Sequence, residues 1–108
     1  MKVIDIFEKY YAAECTFAGV ARHGALVKLT AESDAGSLRY TVLVTFFPHR
    51  DDEDFGVSYD AMGEETLFAA TGRRSKKRDA AMLEQLRPAA DRIAEGLGGV
   101  IGWESPLR

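Results

Sequence analysis

Five of the six residues from Arg73 to Arg78 (Arg-Arg-Ser-Lys-Lys-Arg) are basic, in a chain of 108 residues whose formal net charge is −3. The chemistry such a run offers is the binding of anions, above all phosphate. The apolar spacing that follows marks a helix, and the run occupies its first turn. There, unpaired N–H groups and the positive pole of the macrodipole make each cation unfavourable by a few tenths to about 1 kcal/mol. An anion held by the N–H groups and by Arg73, Arg74, Lys76, Lys77 and Arg78 would relieve that repulsion. The competing reading is a solvated loop and first turn, with Asp79 offsetting part of the dipole and the acidic block Asp51–Asp54 balancing the charge. A nuclear-import signal needs an exposed flexible segment, which a strand-to-helix connection does not provide.

Other chemistry-bearing residues are scattered. His49, Asp51, Asp52 and Asp54 could gather around a divalent cation, but their spacing is not that of an EF-hand loop. The block reads instead as a charged loop tip, which also discourages strand edges from pairing with other chains. His49-Arg50-Asp51 and Asp54-Phe55-Gly56 spell two kinase signatures by coincidence, with no glycine-rich nucleotide loop beside them. His23 has no acid, Cys or Ser next to it in sequence and reads as a turn histidine. The single cysteine, Cys15, reads as a small buried hydrophobe. No catalytic motif and no cofactor is implied. Trp103, with Val100 and Ile101, forms an apolar tail that either folds back on the sheet or meets a partner, so Trp103 and Ile101 are interface candidates.

The composition is that of a globular chain, 46% apolar and 29% charged, so disorder is excluded and one domain over 1–108 is expected. The first residues meet charge every few positions, unlike a secretory leader. No apolar stretch reaches the ~18–20 residues of a membrane span. A lone cysteine suits a reducing compartment, so the expectation is a cytoplasmic protein without membrane contact.

The elements that position these residues follow from periodicity. Ile4, Phe7 and Tyr11, spaced by three and four, predict an amphipathic helix over 3–14. Period two predicts strands at Thr16–Ala21 and Val27–Glu32, separated by a turn at Arg22-His23-Gly24. Ser33–Ser37 is a loop by composition. Leu38–Phe47 is the strongest strand, with Leu38, Tyr40, Val42, Val44 and Phe46 facing inward. Pro48 ends it. Phe55, Val57 and Tyr59 alternate again, Ala61–Glu64 is a turn, and Glu65–Thr71 is the last strand. Ser75 caps a long helix with the seam Leu83, Leu86, Ala90, Ile93 and Leu97, kinked at Pro88 and ended by Gly98-Gly99.

The resulting expectation is an α+β fold. An N-terminal helix precedes an antiparallel meander of four or five strands and a long C-terminal helix, with both helices on one sheet face. The other face, carrying Lys28, Thr30, Arg39, Thr41 and Thr45, would be open.

The segment Gly72-Arg73-Arg74-Ser75-Lys76-Lys77-Arg78-Asp79-Ala80-Ala81-Met82-Leu83 resembles the start of the last helix in double-stranded RNA-binding domains. Leu38–Thr45 is similar to that family's second strand, and a helix–strands–helix order suits its architecture. The resemblance implies that Lys76 and Lys77 grip phosphates of structured RNA. The chain departs from the family at Asp79 and Ala80, in lacking its Gly-Pro-X-His loop at Ser33–Ser37, and in the extra segment Pro48–Gly63.

Together these readings point to a non-enzymatic binding or adaptor domain. The first expectation is a protein-interaction module forming a homodimer. The alternative is a binder of structured RNA or another polyanion through residues 73–78.

Overall fold

The computed structural model describes residues 1–48 and 61–107. The acidic block Asp51–Asp54, His49 and the alternation at Phe55, Val57 and Tyr59 lie outside the described residues. Within them the order is β1 (Lys2–Phe17), β2 (Val20–Asp34), β3 (Ser37–Phe47), β4 (Met62–Thr71), α1 (Lys76–Gly96) and β5 (Gly99–Pro106). The strands form one antiparallel sheet in the order β4-β3-β2-β1-β5. The antiparallel sheet is as expected, although β1 occupies the segment expected to be helical. α1 then crosses one face and delivers β5 to the opposite edge, beside β1.

The expected N-terminal helix over 3–14 is not there; the segment makes up most of a 16-residue strand. Of two β-bulges, between Asp5 and Phe7 and between Ala12 and Cys15, the first explains the misleading period. An extra residue in a strand shifts the side-chain alternation by one. Ile4 pairs with Ala31, Phe7 with Leu29 and Tyr11 with Ala25, so all three share the helix-facing side despite spacings of three and four. A bulged strand therefore imitates helical periodicity. The residue types argued the other way, because Val3, Ile4, Ile6, Phe7, Tyr10 and Tyr11 are all strand-favouring.

The turn expected at Arg22-His23-Gly24 lies inside β2, and the strand expected at Thr16–Ala21 contains the hairpin. Ala18 and Gly19 have φ of 53° and 77°, the pair of positive values that a two-residue turn between twisted strands requires. Ala35 and Gly36, at 51° and 87°, make the second such turn within the loop expected at 33–37. Each turn joins strands whose register then runs the full length of β2.

β3 fulfils its pattern: Leu38, Tyr40, Val42, Val44 and Phe46 are at most 2% exposed. The turn expected at Ala61–Glu64 gives way to β4, which starts at Met62. Among the described residues there is one helix, so the pair of helices expected on one face is replaced by α1 alone. Its buried residues are Met82, Leu86, Ala89, Ala90, Ile93 and Ala94, so Met82 takes the inward place expected of Leu83, which is 38% exposed. α1 runs through Pro88 without interruption. The far face is not open in the way expected. Thr30, Thr41 and Thr45 are 5–6% exposed. They are short side chains set among longer ones, and Lys28–Asp5 and Arg39–Glu32 ion pairs (3.5 and 3.2 Å) bridge strands around them.

Candidate functional site

The five cations of the basic run do not converge. Ser75 caps α1 as expected, its Oγ accepting from the Arg78 N–H at 3.1 Å. Arg74 turns back onto Asp79, with its Nε and Nη2 donating to Oδ2 at 3.2 and 2.9 Å. The other Asp79 oxygen accepts a 2.5 Å hydrogen bond from the Tyr40 hydroxyl. Tyr40 is fully buried, and burial together with that bond pushes its hydroxyl up to about 12. Arg78 lies over the Phe68 ring, 4.6 Å from its centroid, and donates to the Arg73 carbonyl at 3.1 Å. Arg74 and Arg78 therefore help to hold the helix start against β3 and β4. Arg73, Lys76 and Lys77 are exposed, and among the described residues their side chains have no ionic partner.

Asp79, read from sequence as a partial answer to the dipole, is in fact the centre of this cluster. No local signal pairs it with Tyr40, which lies 39 positions away. Beside the cluster a groove of about 390 Å³ opens between α1 and β4. Phe68, Ala81 and Met82 line it, and Ser75, Lys77 and Arg78 stand around them.

The apolar tail folds back. Ile101 is 5% exposed, paired with Ala13 in the sheet. Trp103 donates its indole N–H to Asp91 at 2.8 Å, stands edge-on to Tyr11 at 4.9 Å and lies under the Arg87 guanidinium at 5.0 Å. Both interface candidates thus hold β5 against α1 and β1.

Among the described residues the sheet leaves three stretches of edge, and they differ in protection. β5 carries Gly99, Gly102 and Pro106 and shows a register shift against β1. β1 is paired by β5 only from Tyr11 to Cys15, which leaves its start with one partner strand, but Lys2, Asp5, Glu8 and Lys9 charge that stretch. β4 is bordered only by β3 among the described residues. Its stretch Thr66-Leu67-Phe68-Ala69-Ala70-Thr71 has neither charge nor proline, and Ala69, Ala70 and Thr71 are exposed. The sequence did show this uncharged run; that it forms an edge needed the strand order.

Among the described residues no three His, Cys, Asp or Glu side chains cluster as a metal site, and no helix is long and apolar enough to cross a membrane. Compared with known proteins, the chain matches no family model, no curated protein and no solved structure.

Proposed function

We propose that this chain is a non-enzymatic interaction module that works as a homodimer, with the β4 edge as the meeting surface. The observation that carries the reading is the uncharged, proline-free stretch of β4 with one strand partner among the described residues. Such an edge presents a row of N–H and C=O groups ready to pair with another strand. The neighbouring groove supplies apolar surface that an added strand would cover, with Phe68 at its floor. Trp103 and Ile101, engaged within the fold, act in this reading through stability rather than contact.

Sedimentation velocity across a wide concentration range is the test. The wild type is expected to pass from monomer to dimer. Ala69→Lys places an edge-blocking charge at an exposed position and is expected to weaken association at least ~10-fold while leaving the melting temperature nearly unchanged. A wild type that stays monomeric at the highest concentration removes the reading.

Exposed Lys76 and Lys77 beside the α1 N-terminus favour a second reading, the binding of structured RNA or another polyanion. With Arg74 and Arg78 committed within the fold, that surface is smaller than the run suggests. Duplex RNA titrations are expected to show affinity falling steeply with salt, and Lys76→Glu with Lys77→Glu to abolish it. Equal binding by the charge-reversed protein would exclude this reading.

A further inference from the structure

We propose that β4 pairs antiparallel with β4 of a second copy in one register, and that Arg73 closes each end of this ladder by pairing with Glu64 of the other copy. The inference rests on the homodimer reading and assigns to the first residue of the basic run a task other than holding an anion.

The direction of the β4 side chains limits the register, and the charges at the ends select among those it allows. Met62, Glu64, Thr66 and Ala69 pair with Thr45, Leu43, Thr41 and Arg39 of β3, and Thr71 pairs with Ser37. Directly opposite residues of an antiparallel pair share a face, so these five lie on the face away from α1. Glu65, Phe68 and Ala70, opposite Val42, Tyr40 and Leu38, lie on the face toward α1. Leu67 is the extra residue of the register shift between Tyr40 and Thr41.

A second copy related by a two-fold axis must match face to face, since its helix lies on the same side of the continuous sheet. With Ala69 on the axis, Phe68 meets Ala70 of the other copy. Stepping over Leu67 in each strand, Thr66 meets Thr71, Glu65 meets Gly72 and Glu64 meets Arg73. The pairs within β4 then keep their faces, the centre is built from uncharged residues, and continuing the pairing past Thr71, where β4 ends, sets opposite charges against each other at the ends. An isologous two-fold makes each such pair twice.

The charges at these ends are available. Glu64 and Arg73 are both exposed, and among the described residues neither side chain has an ionic partner. Glu65 is not free in this way, because Arg92 donates to its two oxygens at 3.1 and 2.6 Å and holds its carboxyl below the usual range. Within one chain Glu64 and Arg73 cannot meet. Glu64 lies near the start of β4 and Arg73 two residues past its end, and the extended stretch from Glu64 to Thr71 alone spans roughly 23 Å at ~3.3 Å per residue.

That separation makes a charge swap decisive. In sedimentation velocity Glu64→Arg alone and Arg73→Glu alone are each expected to weaken the dimer at least ~10-fold, because each sets like charges opposite one another at both ends. The double swap, Glu64→Arg with Arg73→Glu, is expected to return the affinity to within ~3-fold of wild type. Thermal melting followed by circular dichroism verifies that each variant is folded. As a second measurement, Thr66→Cys protein mixed with Thr71→Cys protein is expected to form a mixed disulfide-linked dimer on mild oxidation, with Cys15 buried at 4% exposure and out of reach. A dimer that ignores both single reversals, or is not restored by the double swap, overturns this register and leaves the homodimer reading standing. A chain that never dimerises overturns both.

Discussion

Asp79→Ala is expected to destabilise the fold by about 1.3–4 kcal/mol, the sum of a stranded buried hydroxyl and a lost acid at the positive helix end. The hydroxyl dominates. Tyr40 is 0% exposed, and the Asp79 oxygen at 2.5 Å is the acceptor of its O–H, so removing it strands a buried donor. An unsatisfied buried polar group costs about 1–3 kcal/mol, and an acid in the first helical turn contributes about 0.3–1 kcal/mol. The Arg74 pair is partly exposed, with Arg74 at 41% side-chain exposure, and adds little. Tyr40→Phe removes the donor instead of stranding it and is expected to cost only about 1 kcal/mol. In the double variant the two losses share one bond, so they sum to less than their separate values. Urea unfolding followed by Trp103 fluorescence measures all three. If Asp79→Ala and Tyr40→Phe lose equal stability and add fully in the double variant, the hydroxyl is not held as described.

The same bond sets a pH dependence. Tyr40 ionises near 10 in an unfolded chain and at about 12 in the fold. Its folded value is raised, so its contribution is fully present below pH ~10 and is lost as pH rises toward ~12. Tyr40→Phe is expected to lose less stability over that window than the wild type does.

Gly24→Val is expected to cost about 3 kcal/mol or more, beyond the range of an ordinary strand substitution. A Cβ at Gly24 would stand 2.4 Å from Phe47 Cε2 and 2.5 Å from Cζ. The ring has little room to yield, since Phe47 is 1% exposed and stands edge-on to Tyr10 at 5.8 Å. Gly24 and Phe47 are direct cross-strand partners, so the ring lies across the glycine backbone. Glycine in a strand costs entropy and marks such close approaches. Phe47→Leu combined with Gly24→Val is expected to recover part of the loss, because the smaller side chain vacates the clash. Chemical denaturation compares the three proteins. A Gly24→Val protein as stable as wild type would mean that the ring moves freely.

These two sites also show where local reasoning stops. Gly24 follows Arg22-His23, and nothing in its neighbours separates a turn glycine from one lying under an aromatic ring twenty-three positions on. Asp79 is legible as a first-turn acid, yet its partner Tyr40 comes from β3. The edge of β4 is similar. Its uncharged run is plain in sequence, but whether such a run is central or outermost depends on the order of the whole sheet.

What the sequence determined by itself is what neighbours within a few residues decide. The alternation of Leu38 to Phe46 requires a strand with one buried face. Ser75 caps the helix because its hydroxyl reaches an N–H three residues on, and the spacing Leu86, Ala90, Ile93 carries the helix through Pro88. Gly36 allows the left-handed turn between β2 and β3. The tertiary structure alone decided the rest. The bulge between Asp5 and Phe7 exists only against β2, and it turned a strand into a pattern resembling a helix. The basic run was visible from the start as charge on a helix's first turn. Arg74 finds Asp79 only five residues on, but the placement of Phe68 of β4 under Arg78 and of Tyr40 against Asp79 came from the fold, leaving Arg73, Lys76 and Lys77 at the surface without such partners. Charge and period are local properties of a chain, whereas the partner of a charge and the phase of a strand are set by residues that folding brings from far along it.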